Sequence, residues 1–223
     1  MTKNSKIYVA GHTGMVGSAI LHCLKKGDYH NIMARTHKEL DLTNQEAVKK
    51  LFGIERPEYV FMAAGKVGGV VANNRDRAEY LYQNAQMALN VIHLAYIYGV
   101  KKLVYVTSSC IFPKDAPQPM KEELFLSGYP EPTNEPFVLA KLAAIKMCES
   151  YNRQYGTNFI SVMPTNLYGQ NDNFDLENSH VLPAMIRKFH EAKINNKKEV
   201  VLWGTGVAER EFLFVDDVAD AFV

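Results

Sequence analysis

Gly11, Gly14 and Gly17 stand in the string Gly11-His12-Thr13-Gly14-Met15-Val16-Gly17, a spacing suited to holding phosphate. The string follows a short apolar run at 6–10 and opens a stretch, 15–26, whose apolar residues recur at helical intervals. Many glycine triplets are ordinary turns, but one set between a strand and a helix has a specific use. The first glycine allows a tight turn, the second lets backbone approach a pyrophosphate, and the third lets the helix pack closely. Met15 and Val16 then begin a helix whose unpaired N–H groups and positive dipole end face the same anion.

Such a turn needs alternating strands and helices to position it. Strand patterns at 6–10, 31–35, 59–64, 102–108 and 159–163 are separated by helical patterns at 15–26, 44–52, 76–98 and 137–155. Thr43 is placed to cap the second helix, and Gly99 and Gly156 to stop the third and fourth. Repetition of this kind implies right-handed crossovers and an α/β fold with a doubly wound parallel (Rossmann) sheet. Ligands then bind at the C-terminal ends of the strands, where Ala63-Ala64-Gly65, Ser108-Ser109-Cys110 and Pro164-Thr165-Asn166 lie. After Pro164 the texture changes to a polar loop at 165–179, a helix at 180–193 and two short strands at 200–203 and 211–215. Residues 1–164 therefore read as a nucleotide-binding domain and 165–223 as the start of a smaller substrate lobe. The last helical pattern, 216–223, ends without a cap, so that lobe is expected to be incomplete.

Composition narrows the function classes. The 223 residues are 47% hydrophobic and 22% charged, enough to bury a sizeable core. Lys and Arg total 25 against 24 acidic residues, so no net charge recommends nucleic acid or an anionic membrane as partner. No apolar run approaches the roughly 18 residues that span a bilayer. Cys23, Cys110 and Cys148 are odd in number and lack CxxC spacing, which argues against a disulfide framework or a metal site. A cytoplasmic protein is the expectation.

The glycine turn, the small residues after the third strand, the serines after the fourth and Lys141 on the next helix resemble the extended short-chain dehydrogenase/reductases. Longer strings narrow this: Lys66-Val67-Gly68-Gly69-Val70-Val71-Ala72-Asn73-Asn74, Ser108-Ser109-Cys110-Ile111-Phe112-Pro113-Lys114 and Glu149-Ser150-Tyr151-Asn152-Arg153-Gln154-Tyr155-Gly156. So do Met163-Pro164-Thr165-Asn166-Leu167-Tyr168-Gly169, Asn178-Ser179-His180-Val181 and Arg210-Glu211-Phe212-Leu213. In these the chain resembles, along nearly its whole length, the GDP-L-fucose synthases, which are epimerase/reductases of GDP-4-keto-6-deoxy-D-mannose.

The resemblance implies roles. Ser108 hydrogen-bonds the substrate keto oxygen, and Lys141 orients the cofactor. Cys110 and His180 form the acid/base pair that inverts two carbons of the sugar. Protons beside a ketone are acidic because the enolate is delocalised, and inversion needs one group to remove a proton and another to return it from the opposite face. A thiol near about 8.5 and an imidazole near about 6.5 can exchange those tasks close to neutral pH. Taken alone, Cys110 reads equally as a buried apolar cysteine and His180 as a polar helix start. Arg187 and Arg210 match positions that meet the GDP diphosphate, and Asn166 and Trp203 positions near the sugar and its nucleotide. The cofactor set implied is Gly11, Gly14, Met15, Val16, Gly17, Arg35, His37, Asp41, Leu42, Ala63, Ala64, Lys141, Pro164, Leu167 and His180. A homodimer built on the helices at 76–98 and 137–155 is also implied.

Two departures qualify the likeness. The superfamily carries Tyr-x-x-x-Lys, with phenol and ammonium one helical turn apart. The lysine lowers the tyrosine pKa, and the tyrosine protonates the oxygen that turns negative as hydride arrives. Here Phe137 stands four residues before Lys141 and has no exchangeable proton, so reduction is expected to be impaired and epimerisation less so. In addition, Thr13 and His37 stand where the family carries arginines for the 2′-phosphate of NADPH. Arg35 and His37 can still meet a phosphate, and no acid ends the second strand, the nearest being Glu39 and Asp41. NADP(H) is favoured, with NAD(H) left open. The alternatives are another GDP-keto-sugar, such as a GDP-keto-heptose, and a non-catalytic NADP(H)-binding sensor; Ser108, Cys110, Lys141 and His180 speak against the sensor.

Overall fold

The computed structural model describes residues 1–223. Strand β1 (Ile7–Ala10) runs through the glycine turn into helix α1 (Met15–Lys26), followed by β2 (Ile32–Met33), α2 (Gln45–Glu55) and β3 (Tyr59–Met62). Next come α3 (Val70–Arg75), α4 (Arg77–Ile97), β4 (Lys102–Val106), α5 (Glu135–Tyr155) and β5 (Phe159–Val162). These five strands form one parallel sheet in the order β2-β1-β3-β4-β5, and Ile7 pairs with Ile32 on one side and Tyr59 on the other. The chain therefore leaves β1 in one direction for β2 and returns on its other side for β3. The crevice where the strand order reverses lies outside the end of β1, the place where doubly wound sheets bind ligands.

Alternation along the strands decides what each face buries. Tyr8, Val60, Met62, Leu103 and Tyr105 point to a core shared with Phe52 of α2, Val91 and Ile92 of α4, and Val138 and Ile145 of α5. Ile7, Val9, Phe61 and Val104 point the other way, onto Ile20 and Leu24 of α1. Both faces are covered, which is why these strands read as unbroken apolar runs.

Beyond β5 the chain forms β6 (Asn166–Tyr168), α6 (Val181–Ile194), β7 (Phe212–Phe214) and α7 (Val215–Phe222). Strands β6 and β7 pair in parallel as a separate two-stranded sheet, so the polar loop expected at 165–179 contains a strand. The strand expected at 200–203 does not form: Val201, Leu202 and Trp203 lie exposed with no neighbouring backbone to pair with. Helix α7 returns to the sheet and packs Val215 and Ala219 into the α1 core.

One smaller expectation is corrected. Asn44, not Thr43, caps α2, its Oδ1 accepting the Ala47 N–H at 3.0 Å. Thr43 is occupied elsewhere, its N–H and hydroxyl both donating to the Asp41 carboxylate. The long helix expected from 76 to 98 forms as α4; the short α3 precedes it, and the break falls at Asp76, whose carboxylate takes both a 2.8 Å bond from Arg75 Nε and one from its Nη2.

The glycine turn is built as its spacing predicts. Gly11 has φ +85°, and a Cβ there would lie 2.6 Å from the Ala64 nitrogen. A Cβ on Gly17 would lie 2.1 Å from the Gly11 carbonyl oxygen, so α1 can rest on the turn only through a glycine. Gly17→Ala must move backbone rather than a flexible side chain. It is expected to destabilise the fold by about 1–3 kcal/mol, read as a lowered urea midpoint at unchanged slope.

Candidate active site

The strand ends are fixed level with one another. Ala63 N–H donates to Ala10 O at 3.1 Å, Thr107 N–H and Oγ1 both donate to Val162 O at 2.9 Å, and Ser109 N–H donates to Pro164 O at 3.1 Å. Ala63, Ala64, Ser108, Cys110 and Pro164 are thereby brought to one edge of the sheet, beside the glycine turn. Gly14, the N-cap of α1, differs from its two partners. A Cβ there would meet only the Gly11 oxygen, at 3.5 Å. Internal packing thus does not require a glycine at 14, and the space it leaves is outside the turn, at the free N–H groups of α1.

Lys141 lies at the centre of this edge. It sits one turn after Phe137 on the buried side of α5 and is only 5% exposed. Its Nζ donates to Val106 O at 2.9 Å and stands 4.7 Å from the Tyr105 ring centre and 5.4 Å from that of Phe137. No carboxylate pairs with it. Burial therefore pulls its pKa from 10.5 down to about 8, against a smaller opposing effect of the Cys110 thiolate. Burial likewise pushes the Cys110 thiol up, while the neighbouring Ser108 hydroxyl and the Lys141 charge pull it down. Ser108, Cys110 and Lys141 are thus one electrostatic group. Phe137, 8% exposed, walls it with carbon.

His180 forms a second group. It is the N-cap of α6, its side chain makes no capping hydrogen bond, and the residue is exposed. Crowding lowers its pKa, and the nearby Asp172 carboxylate opposes that shift. Burial in turn raises Asp172. Asp172 lines a cleft of about 190 Å³ with Tyr168, Phe174, Leu182, Pro183 and Ile186. The thiol's shift answers to Ser108 and Lys141, the imidazole's to Asp172.

The anion-binding candidates are more loosely held. Arg35 Nη2 reaches Glu55 at 3.1 Å, a carboxylate shared with Lys6. His37 is exposed near Asp41, and Leu42 is buried. Arg187 pairs with Glu191 at 2.7 Å and also donates to Phe174 O. Arg210 donates only to the adjacent Glu209 O, and Asn166 Nδ2 donates to Glu211 O, which brings Asn166 beside the Arg210 segment. Trp203 is 69% exposed, with the Lys188 ammonium 4.7 Å above its ring. Leu167 packs against the α1 core, and Met15 and Val16 are half-buried at the start of α1.

Three residues that shape the site were not singled out by the sequence reading. Asn84, buried on α4, accepts the Lys66 N–H at 2.9 Å and donates to Lys66 O at 3.0 Å, fixing the loop that follows β3. Asn90 donates to the carbonyls of Leu42 and Thr43, fixing the loop after β2. Asp172 is the third. The available signal for Asn84 was its place at the spacing of Tyr80, Ala88 and Val91, a polar amide on an apolar stripe.

The sequence model of the NAD dependent epimerase/dehydratase family matches residues 7–223. GDP-L-fucose synthase 1 of Arabidopsis thaliana is 56% identical over 221 residues, covering 99% of this chain and 68% of the relative. Among solved structures, a GDP-D-glycero-L-gluco-heptose synthase from Campylobacter jejuni, determined in the presence of NADPH, superposes with a TM-score of 0.93 at 42% identity, over 100% of this chain and 74% of that one. A GDP-L-fucose synthetase from Naegleria fowleri bound to NADP gives 0.91 at 33% identity, over 100% and 72%.

The unpaired burial of Lys141 has a measurable consequence for folding. Between about pH 8 and 10.5 the unfolded chain holds a proton that the folded chain has released, so stability rises with pH across that window. A displacement of that size corresponds to about 3 kcal/mol. Urea midpoints of the protein and of Lys141→Met, compared at pH 7.5 and pH 10, should show the lysine form gaining on the methionine form at the higher pH. Parallel changes in the two would show that Lys141 keeps its ordinary pKa.

Proposed function

The chain belongs to the NAD dependent epimerase/dehydratase family and, within it, to the GDP-L-fucose synthases; we propose that it acts on GDP-4-keto-6-deoxy-D-mannose, inverting carbons 3 and 5 and reducing the 4-keto group with NADPH toward GDP-L-fucose. Its class is that of a GDP-sugar epimerase/reductase. The observation that carries the finer reading is the grouping of Ser108, Cys110 and Lys141 at the sheet edge, beside the space at Gly14.

The residues present fit a dinucleotide. The open side of Gly14 leaves the α1 N–H groups accessible to a pyrophosphate, and the carbonyls and side chains of the 35–42 segment flank the place of an adenosine. NADPH, when bound, supplies the hydride. Lys141 can turn from Val106 O toward a ribose, because its ammonium has no carboxylate to hold it. Ser108 is extended at the start of a 3₁₀ turn, and its hydroxyl can donate to a keto oxygen, which acidifies the protons on the adjacent carbons. Cys110 and His180, standing in separate groups, then remove and return protons at opposite faces of the sugar. Arg187 and Arg210 exchange their present partners for the diphosphate. Residues 1–164 hold the dinucleotide in this reading and 165–223 begin the sugar-nucleotide site. A reducing cytoplasm suits the free thiol of Cys110. The outer faces of α4 and α5, with Leu81, Leu89, Ile97, Leu139 and Tyr155 exposed, serve as the contact of a homodimer.

Phe137 divides the two half-reactions. It offers no proton to the 4-oxygen, so that proton must come from Ser108 or water, whereas the exchange at carbons 3 and 5 does not need it. A missing general acid costs roughly 10²–10⁴-fold. A second reading, a GDP-keto-heptose as substrate, is favoured by the likeness to the Campylobacter jejuni heptose synthase and is separated by offering both sugars.

With GDP-4-keto-6-deoxymannose and NADPH in deuterated water, the protein should take up deuterium into the sugar while oxidising cofactor slowly. Phe137→Tyr should raise cofactor oxidation by roughly 10²–10⁴-fold and leave deuterium uptake near its starting rate. Oxidation already as fast without the tyrosine would defeat the claim of impaired reduction. Gly14→Ala should leave the melting temperature almost unchanged while weakening NADPH binding, measured by fluorescence titration. Equal losses in both would return Gly14 to a purely structural role.

A further inference from the structure

His180 enters the site on the end of a loop, and the loop is seated on the segment that follows β3. Gly69 N–H donates to Asn178 O at 2.9 Å, and Arg75 Nη2 reaches Asn178 Oδ1 at 3.4 Å. The fit is close: a Cβ on Gly69 would lie 2.4 Å from Ser179 O, and one on Gly68 would lie 2.4 Å from Tyr80 Oη and 3.3 Å from Asn178 O. On its own side the loop is tied by Asp175, whose carboxylate accepts the N–H groups of Glu177 and Asn178 and the Asn178 side-chain amide. The register of His180 is therefore fixed by where the Gly68–Gly69 turn lies.

That turn is in turn held by Asn73. Its side chain is 4% exposed, and Nδ2 donates to Gly68 O at 2.7 Å and to Gly69 O at 3.1 Å. The Asn73 backbone N–H donates to Gly69 O as well, at 3.1 Å. Its Oδ1, however, has no partner, and neither does Ser179 Oγ across the seam. A buried amide left half-satisfied is uncommon and needs a local reason. Here the reason is the donor half, which binds two consecutive carbonyls that no apolar side chain could hold.

We propose that Asn73 is a positioning residue for His180: it clamps the Gly68–Gly69 turn, the turn seats Asn178 and Ser179, and the seat sets where the imidazole stands. The proposal rests on the reading of His180 as one of the two acid/base groups of epimerisation. Asn73→Ala removes the clamp, Asn73→Ser restores a single donor, and Gly69→Ala crowds the Ser179 carbonyl while keeping the Asn73 side chain.

Three measurements separate positioning from folding: the melting temperature, NADPH affinity, and the titration of the His180 imidazole followed by NMR in the protein without substrate. In Asn73→Ala and Gly69→Ala the His180 midpoint should move, because its distance from Asp172 and its crowding change. Deuterium uptake into GDP-4-keto-6-deoxymannose should fall roughly 10–100-fold in kcat, with NADPH affinity within a factor of about two; small misplacements of a reacting group have effects of this order. Asn73→Ser should recover part of the rate. An unmoved His180 titration in the folded variants overturns the proposal, as does a loss of uptake matched by equal loss of NADPH affinity. If Asn73→Ala does not fold, Gly69→Ala and Asn73→Ser carry the same comparison. His180→Gln with full deuterium uptake would remove the acid/base reading alone and leave the NMR test of positioning intact.

Discussion

The ammonium of Lys141 is held by one backbone carbonyl and two aromatic rings, with no carboxylate in reach. A buried cation in such surroundings is costly, and the neighbours must be stiff enough that water does not enter to solvate it. Helix α5 provides this by burying Phe137, Val138, Ala140, Ala144 and Ile145 between α4 and the sheet. The level ends of β3, β4 and β5, the extended backbone at Ser108 and the Asn84 clamp on Lys66 fix the backbone around it. Loosening any of them would let the lysine relax outward, toward water that could solvate its charge.

The grips on anions are built differently. Arg35 and Arg187 are paired with Glu55 and Glu191 through partly exposed side chains. Pairs of that kind contribute about 0–1 kcal/mol, so a phosphate oxygen can replace the carboxylate at little cost. Lys141 and Phe137 are thus buried, while the arginines proposed to meet phosphates are held by contacts easily exchanged. This division suits a site that must admit a large, highly charged nucleotide before any proton moves.

Much of the fold was legible because it follows from periodicity. The glycine turn, six of the seven helices and the five strands of the main sheet lie within a few residues of their expected places, and the small residues at the strand ends marked the candidate site. Long-range and amide-mediated features were not legible. Thr43 and Asn44 are both good capping residues, and only the competing Asp41 carboxylate decides between them. The pairing of β6 with β7 joins residues more than forty apart, which no local pattern reveals. Asn73, Asn84 and Asn90 carry no motif that names a partner, yet each turns inward to hold a loop carbonyl. Resemblance named the candidate chemical groups; the amides that hold the loops around them had to be seen in three dimensions.

Helix α7 closes the back of α1 with Val215 and Ala219, although nearly two hundred residues separate the two in sequence. The helix that presents its N-terminus to phosphate is therefore braced by a late segment of the chain. During vectorial synthesis, Ile20, Leu24 and Val9 would emerge long before their cover, leaving one face of the nascent sheet open. Closing that face requires a contact of high sequence separation, the kind that slows folding and exposes apolar surface in the meantime.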